Sequence, residues 1–128
     1  MNQREIKFRA CWDKTKKTFI VDALLLGKTE SKKWMILPSE KNAHDKWTEK
    51  DQVILLQFTG LKDKNGKEIY EGDLIGDKDC YVEVIFKDGS FCNKGDFKPI
   101  IEWIWARKRK GIETEVIGNI YENPELLT

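Results

Sequence analysis

The chain is poor in the residues that usually carry chemistry. It holds one histidine, His44, and three cysteines, Cys11, Cys80 and Cys92, in 128 residues. A lone histidine with no cysteine or second histidine at ligand spacing excludes the usual zinc patterns. The cysteines form no CxxC pair. An odd count argues against a disulfide framework, so they are expected to be reduced. A dominant charge of one sign is lacking too: 23 Lys and Arg face 22 Asp and Glu, leaving +1. That balance excludes a uniformly basic polyanion binder. No apolar run approaches the ~20 residues that cross a bilayer. The charged opening MNQREIKFRA lacks the apolar stretch of a secretory leader. These absences lead to the expectation of a cytoplasmic protein with no membrane partner.

Glycine occurs mostly as punctuation. Gly60, Gly66, Gly72, Gly76 and Gly89 fall at turns, and none belongs to a GxGxxG or phosphate-loop pattern. Acids gather at Glu71, Asp73, Asp77 and Asp79 without calcium-loop spacing, so turn capping is the favoured reading over a cation site. No enzyme is expected from this inventory, and no catalytic residue, cofactor or metal is assigned.

What the chain does have is alternation. Ile6, Phe8, Ala10 and Trp12 alternate with Lys7, Arg9 and Cys11, the period of a strand with one buried face. A polar turn at 13–17 leads to a second strand at 18–26. Residues 27–33 read as a charged loop, and 34–37 as a short apolar island stopped by Pro38. The polar segment 39–51, with His44 and Trp47, reads as a solvated insertion. A third strand runs over 52–58. Asn65-Gly66 predicts a two-residue type I′ turn that pairs Leu61 with Tyr70. Leu74-Ile75 opens a short strand. Residues 80–87 and 90–93 predict a hairpin around Asp88-Gly89, with Ile85 facing Cys92. Residues 100–106 (IIEWIWA) read as a strand, RKRKG at 107–111 as a turn, and 112–117 as a strand pairing back on 100–106. Asn123-Pro124-Glu125 predicts one helical turn through Leu127.

The remaining candidate sets two tryptophans beside a run of four basic residues: Trp103, Trp105, Arg107, Lys108, Arg109 and Lys110. On a strand, the two tryptophans share one face and Ile100 and Ile104 the other. An antiparallel strand apolar on both faces needs cover on both, so a second copy, a protein partner or the chain itself is expected over it. Aromatics beside cations also suit nucleic acid, the alternative partner. Charge is unevenly distributed: residues 1–64 hold 14 basic against 9 acidic residues, and 65–128 hold 9 against 13.

Four segments carry a resemblance: REIKFRACWDKTKK (4–17), TGLKDKNGKEIYEGDLI (59–75), VEVIFKDGSF (82–91) and EVIGNIYENPELL (115–127). In this order they resemble the YopX family, small proteins of phages and prophages of Gram-positive bacteria. The resemblance implies a mostly β fold with an SH3-like barrel, and it brings no active site to carry over. Together with the strand pattern it leads to one mainly β domain over 1–128: a small SH3-like barrel or roll elaborated by N-terminal strands, with one C-terminal helical turn. The function expected is that of a phage or prophage accessory protein in the bacterial host cytoplasm, acting as an interaction module.

Overall fold

A computed structural model describes residues 5–25, 35–38, 48–49 and 53–127. Leu26, the loop 27–33, Trp34 and most of segment 39–51, including His44 and Trp47, lie outside the described residues. The chain divides into two compact units, Lys7–Gln57 and a second made of Met1–Ile6 with Phe58–Thr128.

The N-terminal unit is an antiparallel sheet. Its strands are β1 (Phe8–Trp12), β2 (Thr18–Leu25), β3 (Met35–Pro38), β4 (Thr48–Glu49) and the first half of β5 (Val53–Lys62), in the order β4-β3-β2-β1-β5. The polar turn at 13–17 is closed by Lys16 N–H to Trp12 O (2.9 Å) and Trp12 N–H to Lys17 O (3.0 Å). β1 pairs β2 through Ala10↔Phe19 and β5 through Ala10↔Leu55. Ala10, Phe19, Ile36 and Val53 form the core, and the Trp12 ring lies 4.8 Å from that of Phe19. Both Ala10 and its neighbour Cys11 are fully buried. Successive residues face opposite sides of the sheet, so both faces of β1 are covered at this point, where its alternation predicts one wet face.

The second unit contains a four-stranded antiparallel sheet, β10-β7-β8-β9, and the hairpin of β5 with β6 (Glu68–Tyr70). Its strands are β7 (Asp73–Gly76), β8 (Tyr81–Lys87), β9 (Ser90–Asn93) and β10 (Glu115–Asn119). The molecule is mainly β, as expected, but its two antiparallel sheets do not close into a barrel. An open sheet of this length keeps free edges, and β9 and β10 are the edges of the four-stranded one. The Asp88-Gly89 hairpin forms as expected: both residues have positive φ, and Ile85 pairs with Cys92. The predicted terminal turn is a short 3-10 helix over Pro124–Leu127.

The Asn65-Gly66 reversal differs from expectation. Phe58, not Leu61, pairs with Tyr70, and Lys62 pairs with Glu68, with a bulge between. Thr59 makes that bulge. Its hydroxyl donates to Ile69 O (2.8 Å) and accepts from Leu61 N–H (3.1 Å), while Gly60 takes φ +88°. Asn65 has no positive φ. The turn is held by Asp63, whose Oδ1 accepts from both Asn65 N–H and Lys67 N–H at 2.8 Å.

The largest correction concerns residues 100–109. They form an α-helix, α1 (Ile100–Arg109), not a strand, and β10 pairs β7 rather than this segment. Apolar residues at 100, 103 and 104, followed by Arg107, follow helical spacing and place one stripe inward. Ile100, Trp103 and Ile104 pack on Ile69, Ile75 and Val84. Pro99 precedes the first turn, Glu102 lies in it, and Arg107, Lys108 and Arg109 occupy the last turn, an order that suits the helix dipole. The predicted turn at 107–111 is the helix end itself. Gly111 takes φ +77°, Gly111 N–H donates to Lys108 O (2.9 Å), and Ile112 N–H reaches Arg107 O (3.0 Å). This is a Schellman cap, which needs glycine at that position.

Candidate functional site

The helix separates the six residues of the aromatic and basic stretch into three groups. Trp103 and Arg107 turn inward. Trp103 packs on the core, and the Arg107 guanidinium sits 4.8 Å above its ring. Arg107 is buried and donates from Nη2 to Asp77 Oδ2 (2.7 Å) and Glu113 O (3.3 Å), and from Nε to Thr114 Oγ1 (3.2 Å). Asp77 Oδ1 in turn accepts from Asp79 N–H (2.8 Å) and Cys80 N–H (2.9 Å). The Arg107 hydrogen bond, with the two amides behind it, holds the Asp77 carboxyl below the usual carboxylate range. These two residues therefore tie α1 to the β7–β8 turn and are not presented to a partner. Of the basic run, Arg107 alone has its counter-charge inside the fold, in Asp77.

The second group points outward. Trp105 is 53% exposed, an uncommon setting for so large an apolar side chain, and Arg109 follows it by one helical turn. Lys110, at the C-cap, is exposed as well. With segment 100–106 helical, the requirement for cover on two strand faces disappears. Of the two tryptophans, Trp105 alone remains to act as an anchor.

Lys108 makes the third group. It lines a cleft of about 210 Å³ between α1, the β5–β6 turn and the segment that leads into β10. Ile69, Ile104 and Ile112 supply the apolar lining. The Schellman cap reverses the chain after Lys110 and sets Ile112 there. On the hairpin side, Asp63 fixes the wall: its Oδ2 accepts from Val116 N–H (2.9 Å), and Lys64 N–H donates to Thr114 O (3.1 Å). Burial works to raise the Asp63 pKa. Three amide bonds, from Val116, Lys67 and Asn65, together with the Lys67 charge, outweigh it and hold the carboxyl below its ordinary range. Sequence reasoning missed this cleft because its parts lie fifty residues apart. The signal for Asp63 was there, in an Asp two residues before Asn-Gly.

Two of the four acids, Asp73 and Asp77, cap their turns. Asp73 is buried and accepts from Tyr70 N–H (2.8 Å), and Asp77 holds the next turn. Among the described residues, no three His, Cys, Asp or Glu side chains converge to hold a metal ion. Cys11, Cys80 and Cys92 are free thiols. Cys80 is exposed at a turn, whereas the strand pattern places it inside. Among the described residues, no helix is long and apolar enough to cross a membrane.

No curated protein matches this chain. Solved structures do, among them the following two. The crystal structure of protein EF1440 from Enterococcus faecalis is 28% identical, with TM-score 0.72, over 98% of this chain and 100% of that one. The crystal structure of protein yopX from Bacillus subtilis is 23% identical, with TM-score 0.56, over 95% and 98% of the two chains, a likeness of fold. The family model of the YopX protein matches residues 7–128, which takes in the whole of the Lys7–Gln57 unit, α1 and every residue of the cleft. By that match, this chain belongs to the YopX family.

Proposed function

We propose that this YopX-family protein is a phage- or prophage-encoded accessory factor that works in the host cytoplasm by binding a protein, without catalysis. The observation that carries the reading is Trp105. It stands exposed on a helix whose opposite face is locked by Ile100, Trp103 and the buried Arg107. An exposed tryptophan on a fixed helix is an anchor with little ordering left to lose on binding. Co-purification from the host with the wild-type chain and with Trp105→Ala tests it. A stoichiometric partner retained by the first and lost by the second is the expected result. The same partner on both, or none on either, counts against it. Light scattering reports whether that partner is a second copy.

A second reading has one observation in its favour. Arg109 and Lys110 are exposed beside Trp105, the combination that tracks a nucleic-acid backbone while stacking a base. Elution from heparin and from DNA against salt separates the two. Retention of the wild type well above the elution salt of an Arg109→Ala, Lys110→Ala variant supports nucleic acid. Elution of both in the void supports the protein partner.

A further inference from the structure

The cleft beside α1 offers a combination absent from the outward face: an apolar interior under uncommitted cations. Lys62 and Lys108 line it, and among the described residues the ammonium group of neither makes an ion pair or hydrogen bond. Lys64, also on the lining, reaches Glu115 only at 4.0 Å. The carboxylates are accounted for differently. Asp63 spends its oxygens on the three amide donors of its turn and of Val116. Glu113 is exposed and lines the same cleft. Three lysines against Asp63 and Glu113 leave the lining at +1, which matches a single carboxylate better than a phosphate dianion.

Size narrows the occupant further. Drug-sized ligands fill about 300–1,000 Å³. A cleft of about 210 Å³ holds less than that, roughly one aliphatic side chain with the atoms next to it. Ile104 and Ile112 form an apolar wall over the buried Ile69, and Asp63, Glu113, Thr114 and the three lysines complete the lining.

We propose that this cleft is a recognition pocket for a peptide segment of a partner protein, in which one aliphatic side chain enters against Ile104 and Ile112, above the buried Ile69, and an adjoining Asp or Glu pairs with Lys62 and Lys108. The pocket is separate from the Trp105 surface and does not rest on it. Its rigid parts are the Asp63-bound hairpin and the Schellman cap. Its specificity lies in an apolar residue with an acidic one beside it.

The test uses the full chain with labelled isoleucine methyl groups, followed by NMR. The probe is acetyl-Leu-Asp-amide, compared with acetyl-Leu-Asn-amide, free leucine and acetate. Saturable shifts at Ile69, Ile104 and Ile112 with the acidic dipeptide are expected. The Asn counterpart and a Lys62→Ala, Lys108→Ala variant should each bind about three- to tenfold more weakly, as exposed charge pairs allow. Both lysines are exposed, so the variant keeps its fold, and an unchanged spectrum without ligand checks this. Trp105→Ala should bind the probe like the wild type, which separates failure here from failure of the outward-face reading. Absence of saturable shifts overturns the proposal, as does equal affinity for the Asn dipeptide. Equal or tighter binding of free leucine or acetate makes the site one for a small molecule or a bare anion and overturns it as well.

Discussion

The two units solve the problem of stability with different materials. The N-terminal unit relies on apolar contact: Ala10, Phe19, Ile36 and Val53 meet in a sheet, with Trp12 laid against Phe19. The C-terminal unit has an apolar core of similar kind, but adds buried polar side chains. Among the described residues, all the buried polar or charged ones, Asp73, Asn93, Arg107, Thr114 and Asn119, belong to it. Each serves a loop or a helix end. Asn93 Oδ1 accepts from Gly95 N–H and Asp96 N–H, both at 3.0 Å. Asn119 Oδ1 does the same for Tyr121 (3.0 Å) and Glu122 (2.8 Å). Apolar burial is non-directional, whereas a satisfied buried hydrogen bond fixes one geometry. The unit that holds the candidate surfaces is the one whose loops are pinned.

The contrast is tested most severely in the cores. Phe19→Ala should cost about 3–5 kcal/mol and Ile75→Ala about 2–5 kcal/mol. Hydrogen exchange should localise the first loss to β1–β3 and the second to β7 and β8. Uniform loss of protection in both variants would erase the distinction between the units. Next in size is Asn93→Ala. It strands the amides of Gly95 and Asp96 and should cost about 1–3 kcal/mol, read as a drop in melting temperature. Phe97, held at φ +61° in that loop, should lose its exchange protection first.

A smaller effect appears only in acid. Asp77 has a folded pKa below its unfolded value, so its contribution is complete above the ordinary carboxylate pKa of ~4 and disappears as pH falls through the lower folded value. Asp77→Asn keeps an acceptor for Asp79 and Cys80 but loses the charge facing Arg107. Thermal melts from neutral pH downward should therefore show a shallower acid loss in the variant. Asp63 and Asp96, shifted in the same direction, keep that slope from vanishing. An unchanged slope would mean that Trp103, Thr114 and the Glu113 carbonyl hold Arg107 without help from the Asp77 charge. Smallest is Trp105→Ala, which should change stability by no more than about 0.5 kcal/mol while removing the proposed anchor. A larger loss would place Trp105 in the core.

Most strands were legible from alternation and turn chemistry, because both are local. Asp88-Gly89 fixed its hairpin and register through two residues. The β5–β6 register was lost to a single residue, Thr59, whose hydroxyl inserts a bulge that no period reveals. Segment 100–109 was misread because isoleucine and tryptophan favour strands and IIEWIW satisfies either period over six residues. Signals beyond that window decided it: Pro99 before, cations at the far end, then Gly111. The six-residue candidate site inherited the error. With the correct period, Trp103 and Arg107 fall on the buried side and Trp105 on the exposed one. The cleft was not legible at all, since it depends on Asp63, Lys108 and Ile112 meeting in space.

β5 has a practical consequence for anyone wishing to study the units apart. The boundary between Gln57 and Phe58 falls in the middle of a continuous strand, Val53–Lys62. There is no linker to cleave. A fragment ending or starting at that bond would carry a truncated strand paired along one edge, with β1 at 53–57 or with β6 at Phe58 and Lys62, and its other edge is a template for edge-to-edge aggregation. Expression of either half should therefore give insoluble material, and dissection has to proceed by point substitution or by segmental isotope labelling of the intact chain.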